Sequence, residues 1–415
     1  MKVITKIKNL FKSKDGKVLL ENFISLSALE LASKLLPLIT LPYVLRVLEF
    51  DKYGIIVLAN SLIVYFQAIT DYSFKVTATR DVATFKQSHK KLNIIYSKVL
   101  TIKAISLILS LILITFVILI YPPFFEERLV FFLSAAMLIG YALFPQWFFQ
   151  GIEKMKYITF LNIGIKVFFT IFIFIFIKTK DDYWIYPLLS SAGYIGAGIV
   201  GQYILIKRFK LKFLWLKSKT IKQTIYANFP IFINQLFPTL YNNTTSFLLG
   251  ILTNTSFLGI YAAIKVIIDL VIKFLNILSR VFFPLLNRKR NNFGRYKKLM
   301  LTISLSFVLL ILVSHKLIFW YLDINYNNAL VILTILAMGI IGFALYDIFG
   351  LNYFIIRRQD KLVMRNTIIS SLIGFLAAFP LIYYFGLIGA AINLSLSRWI
   401  MGGGLYFLYK NQKQN

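Results

Sequence analysis

Lys265, Asp269 and Lys273 stand at i, i+4 and i+8, a spacing that puts two ammonium groups and one carboxylate on a single helix face. The stretch that holds them, about 256–283, is otherwise apolar and long enough to cross a bilayer. Ionisable groups inside such a stretch are costly and mark functional positions. Two cations against one anion leave positive charge uncompensated, so the stripe suits a water-filled cleft that holds an anionic group. The plainer alternative is a set of ion pairs that ties helices together. Glu30 and Lys34 form a second pair one turn apart on an earlier stretch and can neutralise each other along one face. At about 1.5 Å per residue, Lys34 lies roughly 18 Å and Lys265 roughly 14 Å into a core about 30 Å thick. Both are near the midplane, where snorkelling is hardest.

Other polar groups fall into two classes. Asp347 is a lone carboxylate two-thirds along its stretch and is a candidate for carrying a coupling ion. Asp71, Lys98, Lys103, Lys166, Arg280, His315, Lys316 and Arg398 lie nearer stretch ends, where most are expected to snorkel. Tyr241-Asn242-Asn243-Thr244-Thr245 is a polar band that only a cavity or a helix interface tolerates. Enzyme signatures are missing from the sequence. It has no cysteine and only His89 and His315 as histidines, without carboxylates at ligand spacing. It also has no glycine loop for a phosphate, and Gly402-Gly403-Gly404 near the end of the last stretch reads as close helix packing. No metal, cofactor or catalytic residue is expected.

The elements that must position these groups are membrane helices. Of the 415 residues 59% are hydrophobic and 15% charged, with mean hydropathy +0.75, far too apolar for a soluble surface. Stretches of about 20 apolar residues predict about twelve spans: 22–44, 53–74, 94–120, 129–150, 157–177, 183–206, 224–250, 256–283, 299–321, 328–355, 366–385 and 387–409. The net charge of +30 sits in short blocks at 2–17, 75–91, 154–156, 207–222, 288–298, 357–365 and 410–413. The alternate loops hold only Arg46, Lys52, Arg128, Lys178 and Lys180, outnumbered by carboxylates. This alternation is the positive-inside pattern for spans with both termini in the cytoplasm. The basic blocks face anionic lipid rather than nucleic acid, since none has a folded module around it.

The expected organisation is all-α: a basic cytoplasmic N-terminus (1–21), a lobe of six helices (22–206), a basic linker (207–222) and a second lobe of six helices (223–415). The segment Leu41 to Leu48 followed by Tyr53-Gly54-Ile55 is weakly echoed by Leu248 to Leu252 followed by Gly259-Ile260-Tyr261. Such a repeat predicts two similar lobes around a central cleft with substrate held between them.

The first helices also carry a family likeness. Leu36-Pro37-Leu38-Ile39-Thr40-Leu41-Pro42-Tyr43, Arg46-Val47-Leu48, Tyr53-Gly54, Asp71-Tyr72-Ser73-Phe74 and Ala78-Thr79-Arg80-Asp81-Val82-Ala83 resemble the opening of the O-antigen flippases of the Wzx type. These belong to the multidrug/oligosaccharidyl-lipid/polysaccharide exporter superfamily. The likeness resumes at Pro145-Gln146-Trp147-Phe148-Phe149-Gln150-Gly151-Ile152-Glu153-Lys154-Met155, at Gly259 to Lys265 and at Val281-Phe282-Phe283-Pro284. Two positions depart from it: Glu49-Phe50 stands where the family has Gly-Pro, and Ser73 where it has glycine.

The resemblance implies a protein of the inner (cytoplasmic) membrane that moves an undecaprenyl-diphosphate-linked oligosaccharide to the outer leaflet, coupled to an ion gradient. It further implies contacts with polysaccharide polymerase and chain-length proteins. Lys34, Lys265 and Lys273 would then face the diphosphate, and Glu30, Asp269 and Asp347 would serve as counter-charges or ion carriers. Competing readings are an exporter of another small molecule in the same superfamily, which should favour an acidic cleft, and a membrane polymerase, which needs a larger external loop.

Overall fold

The computed structural model describes residues 14–288 and 290–414, without the side chains of 14–35, 234, 237–242, 284, 413 and 414. Its described secondary structure is entirely helical. In chain order the α-helices are α1 (Lys14–Asp71), α2 (Phe74–Phe85), α3 (His89–Ile120), α4 (Pro122–Glu126), α5 (Arg128–Ala135), α6 (Met137–Leu143), α7 (Gln146–Gly151) and α8 (Met155–Phe176). Then come α9 (Ile185–Lys207), α10 (Ser218–Leu252), α11 (Thr255–Arg288), α12 (Phe293–Val313), α13 (His315–Leu322), α14 (Ala329–Leu345) and α15 (Asp360–Gln414). A π-helical segment, Tyr346–Phe354, continues α14.

Eight helical stretches among the described residues are long and apolar enough to cross a membrane. Large apolar side chains also stand on the outside, such as Phe160 at 73% and Val313 at 81% exposure. Apolar groups on the exterior suit a protein whose solvent there is lipid. The chain is a multi-pass membrane protein.

It divides into two compact units, Met1–Val47 with Ala59–Thr239 and Leu48–Leu58 with Leu240–Asn415. The core of unit 1 gathers Phe74, Val82, Trp147, Phe148, Phe149 and Ile158, all at most 4% exposed. Gly151 lets α7 lie directly on α2, because a Cβ there would come within 2.6 Å of the Val82 side chain. Thr79 Oγ1 then donates to Trp147 O at 3.2 Å.

In unit 2 the segment 48–58 lies against the connection between α10 and α11. A Cβ on Gly54 would fall 1.8 Å from Thr255 O, and one on Gly259 would fall 2.1 Å from Phe50 O. The two glycines of the weak sequence repeat thus make reciprocal backbone contacts.

A turn is expected between 44 and 53, and the chain breaks there: two helices meet within α1 at a kink on Glu49, whose backbone is off helical geometry (φ 60, ψ 172). Leu45 and Leu48, on the approach to this kink, are buried at 2% and 0%. Tyr72 and Ser73, both at positive φ, separate α1 from α2. The two departures from the family pattern, Glu49 and Ser73, therefore occupy left-handed backbone (φ 60 and 64), which glycine adopts without steric cost. Near the chain end, Gly386 at φ 53 interrupts α15.

Candidate functional site

The charged stripe of α11 is built as its spacing predicts. Lys265 Nζ lies 2.6 Å from Asp269 Oδ2, while Tyr261, Ile264, Ile268 and Leu275 bury the adjoining face completely. A third member comes from a distant part of the chain, where no local spacing points to it. Arg398 Nη2 of α15 reaches Asp269 Oδ1 at 3.2 Å, with the Arg398 side chain 10% exposed and Asp269 28%.

Small residues on α14 make room for it. A Cβ on Gly339 would sit 3.4 Å from Arg398 Cδ, and one on Gly402 would sit 2.0 Å from Gly342 O. The helices therefore touch backbone to backbone, and the arginine stem runs past them to the carboxylate. Both oxygens of Asp269 are held by cations, so the cluster keeps one surplus positive charge. Nη1 of Arg398 is buried without a hydrogen-bond partner, an unmet donor of the kind that oxyanions satisfy. Lys273 lies one turn beyond Asp269 and is exposed, close enough to add to the field on that carboxylate.

Asp347 sits in the π-helical segment, fully buried, with neither carboxylate oxygen hydrogen-bonded. Single π turns inside α-helices recur at functional positions. Around it Asn352 Nδ2 donates to Ser279 Oγ at 2.7 Å and Tyr296 Oη at 2.8 Å, and Arg280 of α11 acts on the carboxylate electrostatically. In the polar band of α10, Thr244 and Thr245 are buried, and Asn393 Nδ2 donates to Thr245 Oγ1 at 2.9 Å. The side chains of Glu30 and Lys34 lie outside the described residues.

Unit 1 holds a second ion pair where the sequence predicts snorkelling. Lys103 Nζ contacts Asp71 Oδ1 at 2.7 Å and Tyr141 O at 3.2 Å, with the lysine only 3% exposed. Lys103 and Arg398 thus turn inward rather than toward an interface. In both cases a carboxylate on another helix supplies a partner that position along the chain does not disclose. Two neighbouring cavities, of about 290 and 230 Å³, share Gln67, Tyr141 and Tyr194 in their walls, and Lys166 lines the larger one. Among the described residues no group of three or more His, Cys, Asp or Glu is placed to hold a metal ion.

Known proteins resemble this chain along most of its length. Two curated relatives, from Escherichia coli (strain K12) and Shigella dysenteriae, both carry the name "Putative O-antigen transporter". They are 26% and 24% identical over 94% and 90% of this chain, and 97% and 96% of their own lengths.

Among solved structures, the inward closed conformation of the lipid II flippase MurJ aligns with a TM-score of 0.72 at 15% identity, over 94% of this chain and 87% of the other. An inward-facing multidrug resistance MATE family transporter of the MOP superfamily aligns at 0.67 and 12% identity, over 94% and 98%. The fold is the one these membrane transporters share. The family described as polysaccharide biosynthesis protein matches residues 19–290, which carry the Asp71–Lys103 pair and the α11 stripe, and the chain belongs to that family.

Proposed function

We propose that this protein is a flippase for an oligosaccharide joined through a diphosphate to undecaprenol, carrying it from the cytoplasmic to the outer leaflet of the inner membrane. The observation that carries the reading is the Lys265–Asp269–Arg398 cluster. It places two cations against one carboxylate in a membrane helix bundle and leaves a buried guanidinium donor without a partner. A diphosphate matches that surplus charge and, with its row of oxyanions, the planar fork of an arginine. The names of the two curated relatives agree with it.

In this reading twelve spans form two lobes of six helices around a central cleft, with both termini cytoplasmic. Lys265, with Lys34 and Lys273, meets the diphosphate while the polyprenyl tail stays in lipid. Binding must be strong enough to load and weak enough to release, and Asp269 and Glu30 moderate the positive charge accordingly. Asp347 is the candidate carrier of a coupling ion. A polymerase and chain-length proteins take up the delivered unit. An exporter of cationic drugs would be served by surplus carboxylate, the reverse of what α11 and α15 assemble.

The test is Lys265→Ala in cells that depend on this protein for surface polysaccharide, with protein amount matched by immunoblot. Loss of most long-chain polysaccharide on gels is expected. Normal polysaccharide at matched protein would sink the assignment.

A further inference from the structure

The two neighbouring cavities that share Gln67, Tyr141 and Tyr194 include no residue of the α11 cluster, and amide side chains stand in both walls. Asn60 and Gln67 from α1, Gln146 from α7 and Asn162 from α8 contribute amides. Asn162 commits its Nδ2 to Ile158 O at 2.8 Å, which leaves its carbonyl oxygen toward the remaining partners. The rings of Tyr141 and Tyr194, 4.5 Å apart and tilted by 40°, form part of the wall shared by the two spaces. Together the spaces fall within the roughly 300–1,000 Å³ of small-ligand sites.

Charge narrows the ligand. Among the described residues lining them, Asp71 is the sole carboxylate and is paired with the buried Lys103, while Lys75 and Lys166 are also in the lining. Organic cations have no free anion to meet there. Amides that both donate and accept, together with flat aromatic faces, match the alternating hydroxyls and C–H faces of a pyranose ring.

We propose that this part of unit 1 is a carbohydrate subsite, in which Asn60, Gln67 and Asn162 hydrogen-bond the hydroxyls of a sugar and the Tyr141–Tyr194 pair stacks on its ring. The inference rests on the proposed function for the lipid to which that sugar is attached.

The experiment uses the full chain, purified in detergent and studied by native mass spectrometry. The probes are undecaprenyl diphosphate alone and undecaprenyl diphosphates bearing glucose, galactose or N-acetylglucosamine. The unaltered protein is expected to prefer at least one sugar-bearing lipid by roughly tenfold, the discrimination that one or two hydrogen bonds supply. Gln67→Leu and Tyr194→Leu should each bring that ratio toward one without weakening binding of the bare lipid. Asn60→Ala is the second variant if either folds poorly. Lys265→Ala should instead weaken all the lipids and keep the ratio.

A ratio near one in the unaltered protein would overturn the subsite while leaving the flippase reading standing. So would wall variants that keep the tenfold preference or lose all lipids alike. Failure of the unaltered protein to bind any of these lipids would overturn both.

Discussion

Two charge clusters among the described residues combine similar parts in different proportions. In unit 1, Lys103 and Asp71 are matched one to one at 2.7 Å, with the lysine 3% and the carboxylate 33% exposed. In unit 2, Asp269 is shared between Lys265 and Arg398 at 2.6 and 3.2 Å, with its side chain 28% exposed. A pair matched one to one has no charge left for a ligand, and its members depend on each other. A cluster of two cations on one carboxylate keeps one positive charge uncompensated.

The largest effect should come from breaking the balanced pair. Lys103→Ala leaves Asp71 without its cation and should cost about 2 kcal/mol of stability, less than the penalty for a fully buried charge because Asp71 is 33% exposed. Joint replacement, Lys103→Met with Asp71→Leu, should restore most of it. Thermal unfolding of the purified variants checks both, and a double variant no better than the single would show that the pair is not balanced.

The next effect belongs to transport rather than folding. Arg398→Ala should reduce polysaccharide export at least tenfold with a smaller loss of stability than Lys103→Ala. Arg398→Lys should recover only part of the activity, because an ammonium lacks the bidentate fork. Export assays at matched protein amounts separate these outcomes. If Arg398→Lys were fully active, charge alone would suffice.

A third change tips the open cluster further. Asp269→Asn removes its only anion, so the diphosphate lipid should bind several-fold more tightly and be released more slowly. Equilibrium binding and single-turnover flipping measured side by side would reveal the opposite signs.

The smallest effect concerns the turn that follows Asp71. Ser73 holds φ 64 and buries a hydroxyl without a partner. Ser73→Gly should therefore stabilise unit 1 by roughly 1 kcal/mol, readable as a small rise in unfolding midpoint. A fall would mean that the hydroxyl has a role beyond the backbone strain.

The contrast between the two pairs is only partly legible in the sequence. Lys265 and Asp269 are four residues apart on one helix, so helical periodicity alone brings them together, and the pair forms as the spacing requires. Arg398 is 129 residues from Asp269, and no local pattern joins them. Lys103 reads as a residue able to reach an interface, because its position along α3 says nothing of the carboxylate beside it. Glu49 and Ser73 mark unusual turns through the residues that the family keeps there, although only the backbone shows both at positive φ.

The amino-acid sequence by itself determined that this is a helical membrane protein, that its basic residues concentrate in alternate loops and where one cationic stripe lies. Those properties follow from hydrophobic length, from charge between spans and from the 3.6-residue turn, all local to the chain. Tertiary structure decided which charges are neutralised and which remain available. That outcome depends on glycine contacts such as Gly402 on Gly342, which bring distant helices close enough for Arg398 to meet Asp269. The sign and surplus of a buried site are sums over such helices, and a sum cannot be read from one of its terms.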